Sequence, residues 1–389
     1  MSSEMYELYC PCHFGLEAVL KREIIDLGYD VKEVADGHVT FLGDAEAIAL
    51  ANIWLRTTER VMIVVGRFHA TTNDEYFDGI SALPLEKLIP EDAHFWIKKA
   101  TSIKSRLFGT KLLQSMGKKA MVKRLSEAYH KDPSEMFEET GADYPLRVFL
   151  MKDEVTVLLD TSGESLHKRG YRTSAGEAPI SETLAAALVL LSPWKRDRIL
   201  VDPFCGSGTI LIEAAMIARN LAPGKNRTFT AEAWPHLVPK EIWEDCREEA
   251  EDAVSEETPL DIQGYDIDRE VLKTARENAD RAGVGADIHF QQRDVKDLSH
   301  PKKYGFLITN PPYGERLMEK ETLGALYRTL GERFRALDSW SLFLITSYEQ
   351  AENGIGRRAD KNRKIYNGMI EARLYQFLGP KPPAKKKTE

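Results

Sequence analysis

Leu200-Val201-Asp202-Pro203-Phe204-Cys205-Gly206-Ser207-Gly208-Thr209 runs from an apolar strand into a glycine turn, and Ile210 to Arg219 continues it at helical spacing. Two glycines permit left-handed backbone angles in the turn and let a ligand approach the chain closely. Outward from this β-turn-α unit the alternation repeats. After a first strand at Ile199 to Val201, further strand candidates are Ile262 to Tyr265, Ile288 to Gln291, Phe306 to Thr309 and Leu342 to Thr346, with helices between them. Strand then helix, repeated, predicts an α/β fold with a mostly parallel sheet covered by helices. Arg363 to Tyr366 and Ile370 to Phe377 read as a hairpin at one sheet edge.

Gly-x-Gly alone is a weak signal. A dinucleotide site continues to a third glycine and sets its ribose-binding acid about 20 residues on; here Leu211 stands at the third glycine position, and the next strand-end acid is the distant Asp266. A pyrophosphate cradle is therefore disfavoured. Gly264-Tyr265-Asp266-Ile267-Asp268 ends the next strand, where a carboxylate can accept both hydroxyls of a ribose and Ile267 can lie against an adenine ring. Gln291-Gln292-Arg293-Asp294-Val295 ends the one after, where Asp294 can receive an adenine exocyclic N–H. Any one of these acids is more often a helix cap. Three consecutive strand ends describe a nucleoside-shaped pocket at the carboxyl edge of a parallel sheet.

The fourth strand ends in Thr309-Asn310-Pro311-Pro312-Tyr313. Two prolines remove two N–H groups and stiffen the turn, leaving the Asn310 side-chain oxygen and the Pro311 carbonyl as acceptors. That pair suits an amine. In methyl transfer to an exocyclic nitrogen the planar nitrogen must pyramidalise as it attacks; acceptors on its hydrogens orient the lone pair and stabilise the growing charge, while Tyr313 offers a face for a base to stack on.

At 389 residues, with 43% hydrophobic and 29% charged residues, the chain has the balance of a soluble globular protein of two or three domains. No apolar run approaches the roughly 20 residues that span a bilayer. Met1 to Cys10 carries Glu4 and Glu7 where a leader would be basic and apolar, so a cytoplasmic protein without signal peptide is expected. Cys10, Cys12, Cys205 and Cys246 lack zinc-site spacing and read as free thiols, and no metal is expected. The net charge of −8 speaks against nucleic acid on its face, yet His94 to Lys131 holds ten basic residues against Glu127 alone. Glu241 to Glu257 is the reverse, nine acids against Arg247, and reads as a solvated helix. Before the α/β unit, short strands at Tyr6 to Tyr9, Val31 to Val34 and His38 to Phe41 and helices at Leu16 to Leu27 and Ala45 to Leu55 suggest a small α+β unit, completed by a strand at Arg60 to Phe68. Helix-like sequence at Ser105 to Tyr129 and two strands about Lys152-Asp153 follow.

Asp202 to Thr209 and Asn310-Pro311-Pro312-Tyr313-Gly314-Glu315-Arg316 resemble the class I methyltransferases that use S-adenosylmethionine (SAM) to make N2-methylguanosine in RNA. The likeness is greatest to bacterial 23S ribosomal RNA guanine-N2 methyltransferases with an N-terminal THUMP domain. It implies a ferredoxin-like piece (1–66), a THUMP RNA-binding domain (67–162), a Rossmann-like methyltransferase domain with a seven-stranded sheet (163–380) and a basic tail (381–389). The resemblance makes Ala178 to Ala185 the helix that completes the cofactor site, through Ser181 and Thr183, beside Asp202, Phe204, Gly206, Gly208, Asp266, Ile267, Asp268, Asp294, Val295 and Asn310. Asn310, Pro311 and Tyr313 would be catalytic. Structured RNA becomes the expected partner, with Lys104, Arg106, Lys111 and Lys118, and the basic knot Lys168, Arg169 and Arg172, on its phosphates. A guanine inside a helix would have to be extruded. The Asn-Pro-Pro-Tyr motif also occurs in adenine-N6 DNA methyltransferases and in enzymes that methylate a protein glutamine. A transfer RNA enzyme and an assembly factor without activity are further alternatives.

Overall fold

The computed structural model describes residues 4–132, 135–172, 180–255, 258–312, 320–367 and 370–383. Tyr313 to Arg316 of the amine-clamp motif, Ala178 and Pro179, Glu256 and Glu257, and the end of the basic tail lie outside the described residues. Two units emerge from the chain's own contacts. The first comprises 1–11, 23–166 and 226–249; the second comprises 12–22, 167–225 and 250–389.

The first unit holds β1 (Tyr6–Pro11), β2 (Val31–Ala35), β3 (His38–Gly43), α2 (Ala45–Trp54), β4 (Met62–His69), α3 (Asn73–Ser81), β5 (His94–Ile103), α4 (Thr110–Ala128), β6 (Asp143–Met151) and β7 (Glu154–Asp160), while α1 (Glu17–Asp26) is shared with the second unit. One sheet in the order β2-β3-β1-β4-β7-β6-β5 runs without a break from the first strands to the last, all pairs antiparallel except β5 with β6. The sequence reading missed β5 and α3. β5 carries a register shift between Ile97 and Lys99 that puts Lys98 and Lys99 both in solvent, so its alternation is broken where the eye looks for it. α3 buries only Tyr76 and Ile80, and is held by a capping box between Thr72 and Glu75. The helix expected from Ser105 starts at Thr110.

Residues 226–249 interrupt the second unit in sequence yet pack in the first. Ala231 N–H donates to the Thr161 carbonyl at 3.0 Å. The fully buried Trp234 stacks on Tyr144 with centroids 4.7 Å apart and 12° between planes, and its indole N–H reaches the Asp143 carbonyl at 2.9 Å. The acidic stretch forms α7 (Lys240–Asp252), but it is not merely solvated: Trp243, Cys246 and Ala250 share a buried face, and Phe229 stacks on Trp243 at 5.4 Å.

In the second unit α5 (Glu182–Leu191), β8 (Leu200–Asp202), α6 (Thr209–Ala218), β9 (Ile262–Asp266), α8 (Arg269–Arg281), β10 (Ile288–Gln292), β11 (Phe306–Thr309), α9 (Lys320–Ala336), β12 (Ser341–Thr346), α10 (Ala351–Ile355), β13 (Lys361–Asn367) and β14 (Ile370–Phe377) build a second seven-stranded sheet. Its order is β10-β9-β8-β11-β12-β14-β13. β10 through β12 are parallel; β14 and β13 add the antiparallel edge hairpin, so the sheet is mixed in the Rossmann-like manner. The strand order reverses between β8 and β11. Crossovers on opposite sides of that point leave a crevice at the strands' carboxyl ends, where ligands bind in such sheets. Below it Val201, Leu307, Leu342 and Leu344 pack with Tyr327, Leu330 and Phe334 of α9.

Candidate active site

The crevice is built from strand ends inward. β8 ends in Asp202, 2% exposed, whose Oδ1 accepts the Thr309 hydroxyl at 2.6 Å and the Phe204 N–H at 3.0 Å. Burial pushes its carboxyl up to about 7, against those two hydrogen bonds, and the nearby Asp266 adds to the rise. Gly206 and Gly208 then sit at φ +52° and +82°, angles that favour glycine. A Cβ on Gly206 would meet nothing within 4 Å, so that face of the turn is open; one on Gly208 would press the Phe290 ring at 3.1 Å. Gly208 caps α6 without any side-chain hydrogen bond among the described residues.

β9 supplies Asp266, one carboxylate oxygen accepting Gly206 N–H at 3.1 Å and the other Asp268 N–H at 3.0 Å. The carboxylate thus ties the glycine turn to the strand beside it. Ile267 follows, 68% exposed, an apolar side chain standing in water where a ring could cover it. Asp268 also serves the fold: its Oδ1 caps α8 by accepting Glu270 N–H at 2.8 Å. Asp294 accepts Lys296 N–H at 2.9 Å and lies 3.3 Å from its ammonium; that backbone bond leads the causes holding its carboxyl below the usual range. Val295 is buried in the core, leaving only its backbone for a ligand.

Ser181 caps α5 through Leu184 N–H at 3.3 Å, and its hydroxyl lies 3.3 Å from that of the buried Thr183 and 3.3 Å from His13 Nε2. At the end of β11, Asn310 is half-buried, and its Oδ1 is shut off from water with no hydrogen-bond partner among the described residues. A buried amide oxygen without a donor costs on the order of 1–3 kcal/mol, so Asn310 Oδ1 is an acceptor open to a further donor. Pro311 is buried, and the Pro312 carbonyl accepts the Tyr327 hydroxyl at 3.5 Å, itself 2.5 Å from the Thr346 hydroxyl. The sequence reading quoted Thr309 and Thr346 only as strand ends and passed over Tyr327. Their polar atoms at the ends of β11 and β12, in otherwise apolar surroundings, were the available signal.

A family model described as "RMKL-like, methyltransferase domain" matches residues 169–376, and one described as "RlmL ferredoxin-like domain" matches 7–62. The chain belongs to this methyltransferase family. It is 45% identical over 384 residues to "Putative RNA methyltransferase YpsC" of Bacillus subtilis, covering 99% of each chain. It is 36% identical over 381 residues to "Ribosomal RNA large subunit methyltransferase K/L" of Syntrophotalea carbinolica, covering 93% of this chain but 52% of that one, so it spans about half the length of the K/L relative. A crystal structure described as "SMU.472, a putative methyltransferase complexed with SAH" superposes with TM-score 0.93 at 42% identity, covering 98% of this chain and 100% of that one. The enzyme is a SAM-dependent methyltransferase, and the open glycine turn, the Asp266 carboxylate and the bare Ile267 fit that cofactor.

The cations assigned to RNA divide. Lys104, Arg106, Lys111 and Lys168 are exposed. Lys118 is corrected: its ammonium bonds the Phe95 carbonyl and Glu139 and lies 3.6 Å over the Phe95 ring. Arg169, 7% exposed, sits with its Nε 3.5 Å from Glu213, too deep for a phosphate. Arg172 donates to Glu182 at 2.9 Å and to the Ile180 carbonyl at 3.1 Å, with Thr209 Oγ1 at 3.5 Å. Between them Tyr171 donates to Glu213 of α6 at 3.1 Å, while its carbonyl accepts Arg281, which holds Asn278, which donates to the Ser207 carbonyl at 3.1 Å. Through Arg169, Tyr171 and Arg172 the knot is therefore a brace behind the glycine turn and the start of α5, with Lys168 its exposed cation.

Proposed function

We propose that this enzyme transfers the SAM methyl group to the exocyclic N2 of a guanosine in large-subunit ribosomal RNA. The observation that carries the reading is the buried Asn310 Oδ1, without a hydrogen-bond partner among the described residues, at the end of β11, next to the strand that bears the glycine turn. SAM supplies an electrophilic methyl on sulfur. Asn310 Oδ1 and the Pro311 carbonyl accept the two amine hydrogens, turn the nitrogen lone pair out of conjugation and steady the charge it gains. Asp266 would hold the ribose hydroxyls of the cofactor, Asp294 its adenine amine, and Ser181 and Thr183 would close the far end, while the aromatic Tyr313 would offer a base a stacking face. No strong base is needed, because the methylated nitrogen loses its proton readily to water.

RNA as the substrate is supported by the names of the relatives at 45% and 36% identity. A THUMP-like role for 67–162 in the cytoplasm agrees with the exposed Lys104, Arg106 and Lys111. The test is to incubate the protein with labelled SAM and unmodified ribosomal RNA, digest to nucleosides and identify the product by mass spectrometry. N2-methylguanosine is the expected product. N6-methyladenosine, or label found only on DNA, protein or transfer RNA, overturns the reading.

A further inference from the structure

The loop from Lys104 to Gly109, between β5 and α4, leaves Phe108 81% exposed, with Ile103 40% and Leu112 54% exposed on either side. Single apolar side chains on a surface need no explanation. This one differs in two respects. First, the loop backbone is pinned while the ring is bare. Ser102 donates to the Leu107 carbonyl, Ser105 to the Ile103 carbonyl at 3.1 Å, Arg106 N–H to Asp153 Oδ1 at 2.7 Å, and Lys152 N–H to the Ile103 carbonyl at 3.2 Å. Asp153 N–H in turn donates to the Ser105 hydroxyl at 3.0 Å. The ring thus pays little ordering entropy when something lies on it. Second, Lys104, Arg106, Lys111 and Lys152 are all exposed on this loop, the first turn of α4 and the β6–β7 turn. Of the acids at that turn, Asp153 is occupied by the loop's own N–H, with Arg106 Nε 3.7 Å away, and Glu154 lies 3.0 Å from His69 Nδ1.

A ligand matching this patch carries negative charge at its edges and a flat face at its centre. A base paired inside a helix does not qualify, since its neighbours cover both faces in the stack. We propose that this loop is a stacking platform for an unpaired nucleotide, Phe108 under the base and the four cations on the flanking phosphates. The proposal rests on the RNA reading above and gives it a feature: the substrate presents a single-stranded segment to this unit.

Fluorescence anisotropy on the full-length protein tests it, with a labelled single-stranded oligoribonucleotide and a blunt RNA hairpin of the same composition, its loop replaced by a non-nucleotide linker, as probes. Phe108→Ala should weaken single-strand binding about 5- to 50-fold and leave the hairpin nearly unchanged, with Phe108→Trp restoring affinity. The slope of affinity against salt should stay the same in Phe108→Ala, because no phosphate contact is lost. Since Phe108 stands in water, the melting temperature should not move, which keeps misfolding out of the comparison. Unchanged single-strand affinity, or equal loss on both probes, overturns the platform. So does binding to phosphatidylglycerol vesicles that needs Phe108 while RNA binding does not. If Phe108→Ala weakens single-strand binding and the wild-type enzyme nonetheless methylates no RNA, the platform stands and the substrate reading falls.

Discussion

His167-Lys168-Arg169-Gly170-Tyr171-Arg172 and the run from Lys104 to Lys111 carry cations at similar density, and both invite an RNA reading. Their environments are opposite. Arg169 and Arg172 are sunk beside Glu213 and Glu182 behind the glycine turn, whereas Lys104, Arg106 and Lys111 face water around a bare phenylalanine. The difference lies in the partners. α5 and α6, each buried along nearly its whole length, carry Glu182 and Glu213 into the interior, and a buried carboxylate must find a cation. The α4 region carries no such acid in its first turn. Charge in a sequence names a requirement; the neighbouring elements decide whether protein or ligand meets it.

The contrast is broken most directly at Arg172. Arg172→Ala should cost about 3–5 kcal/mol of stability by leaving Glu182 buried without its cation, measured as a shift in the urea midpoint. Unchanged stability together with lost RNA affinity would return Arg172 to the phosphate surface. An uncharged buried acceptor sharpens the point from the other side. Asn310→Ala should lower kcat roughly 10²-fold or more while SAM affinity by calorimetry holds, as for a group that acts on the transition state. A large loss of SAM binding instead would remove Asn310 from the amine.

A buried charge also has a pH signature that an exposed one lacks. Asp202 has its folded pKa raised from 3.8 to about 7, so the native state keeps a proton that the unfolded chain gives up. Stability from this group is therefore greatest below about pH 4 and declines as pH rises to about 7. Asp202→Asn keeps an oxygen for Thr309 and Phe204 and should flatten that limb of the profile; parallel wild-type and variant curves from pH 4 to 8 would show that Asp202 does not titrate there. The smallest effect on the fold belongs to the exposed set. Lys104→Ala with Lys111→Ala should leave stability within about 0.5 kcal/mol yet reduce the salt dependence of RNA binding by roughly one unit of slope or more. A stability loss of several kcal/mol would place these lysines in the same category as Arg172.

What was legible in the sequence follows the same division. β8, β11 and β12 were readable because parallel strands buried on both faces are unbroken apolar runs, and the edge strand β10 by its alternation of buried Ile288 and Phe290 with exposed neighbours. The glycine turn, Asp266, Ile267 and Asn310 stood out because their positions relative to those strand ends carry the meaning. β5 was hidden by a bulge that exposes two successive lysines, and α3 by a buried face of two residues. A cap and a nucleoside acceptor use the same residue type at the same place, and Asp268 and Asp294 each carry a cap's hydrogen bond. Arg169 and Arg172 were misread because their partners, Glu213 and Glu182, lie on helices whose packing no local spacing reveals.

Trp234 filling the face of Tyr144 has a bearing on how the protein is made. A ribosome delivers Tyr144 several seconds before Trp234 at roughly 5–20 residues per second, and β8 and α6 emerge in between. The first unit therefore waits, with an aromatic face uncovered, until part of the second has already been synthesised. Neither unit corresponds to one uninterrupted stretch of gene, and a cut at the apparent boundary near Leu166 strands both tryptophans of 226–249 on the wrong fragment.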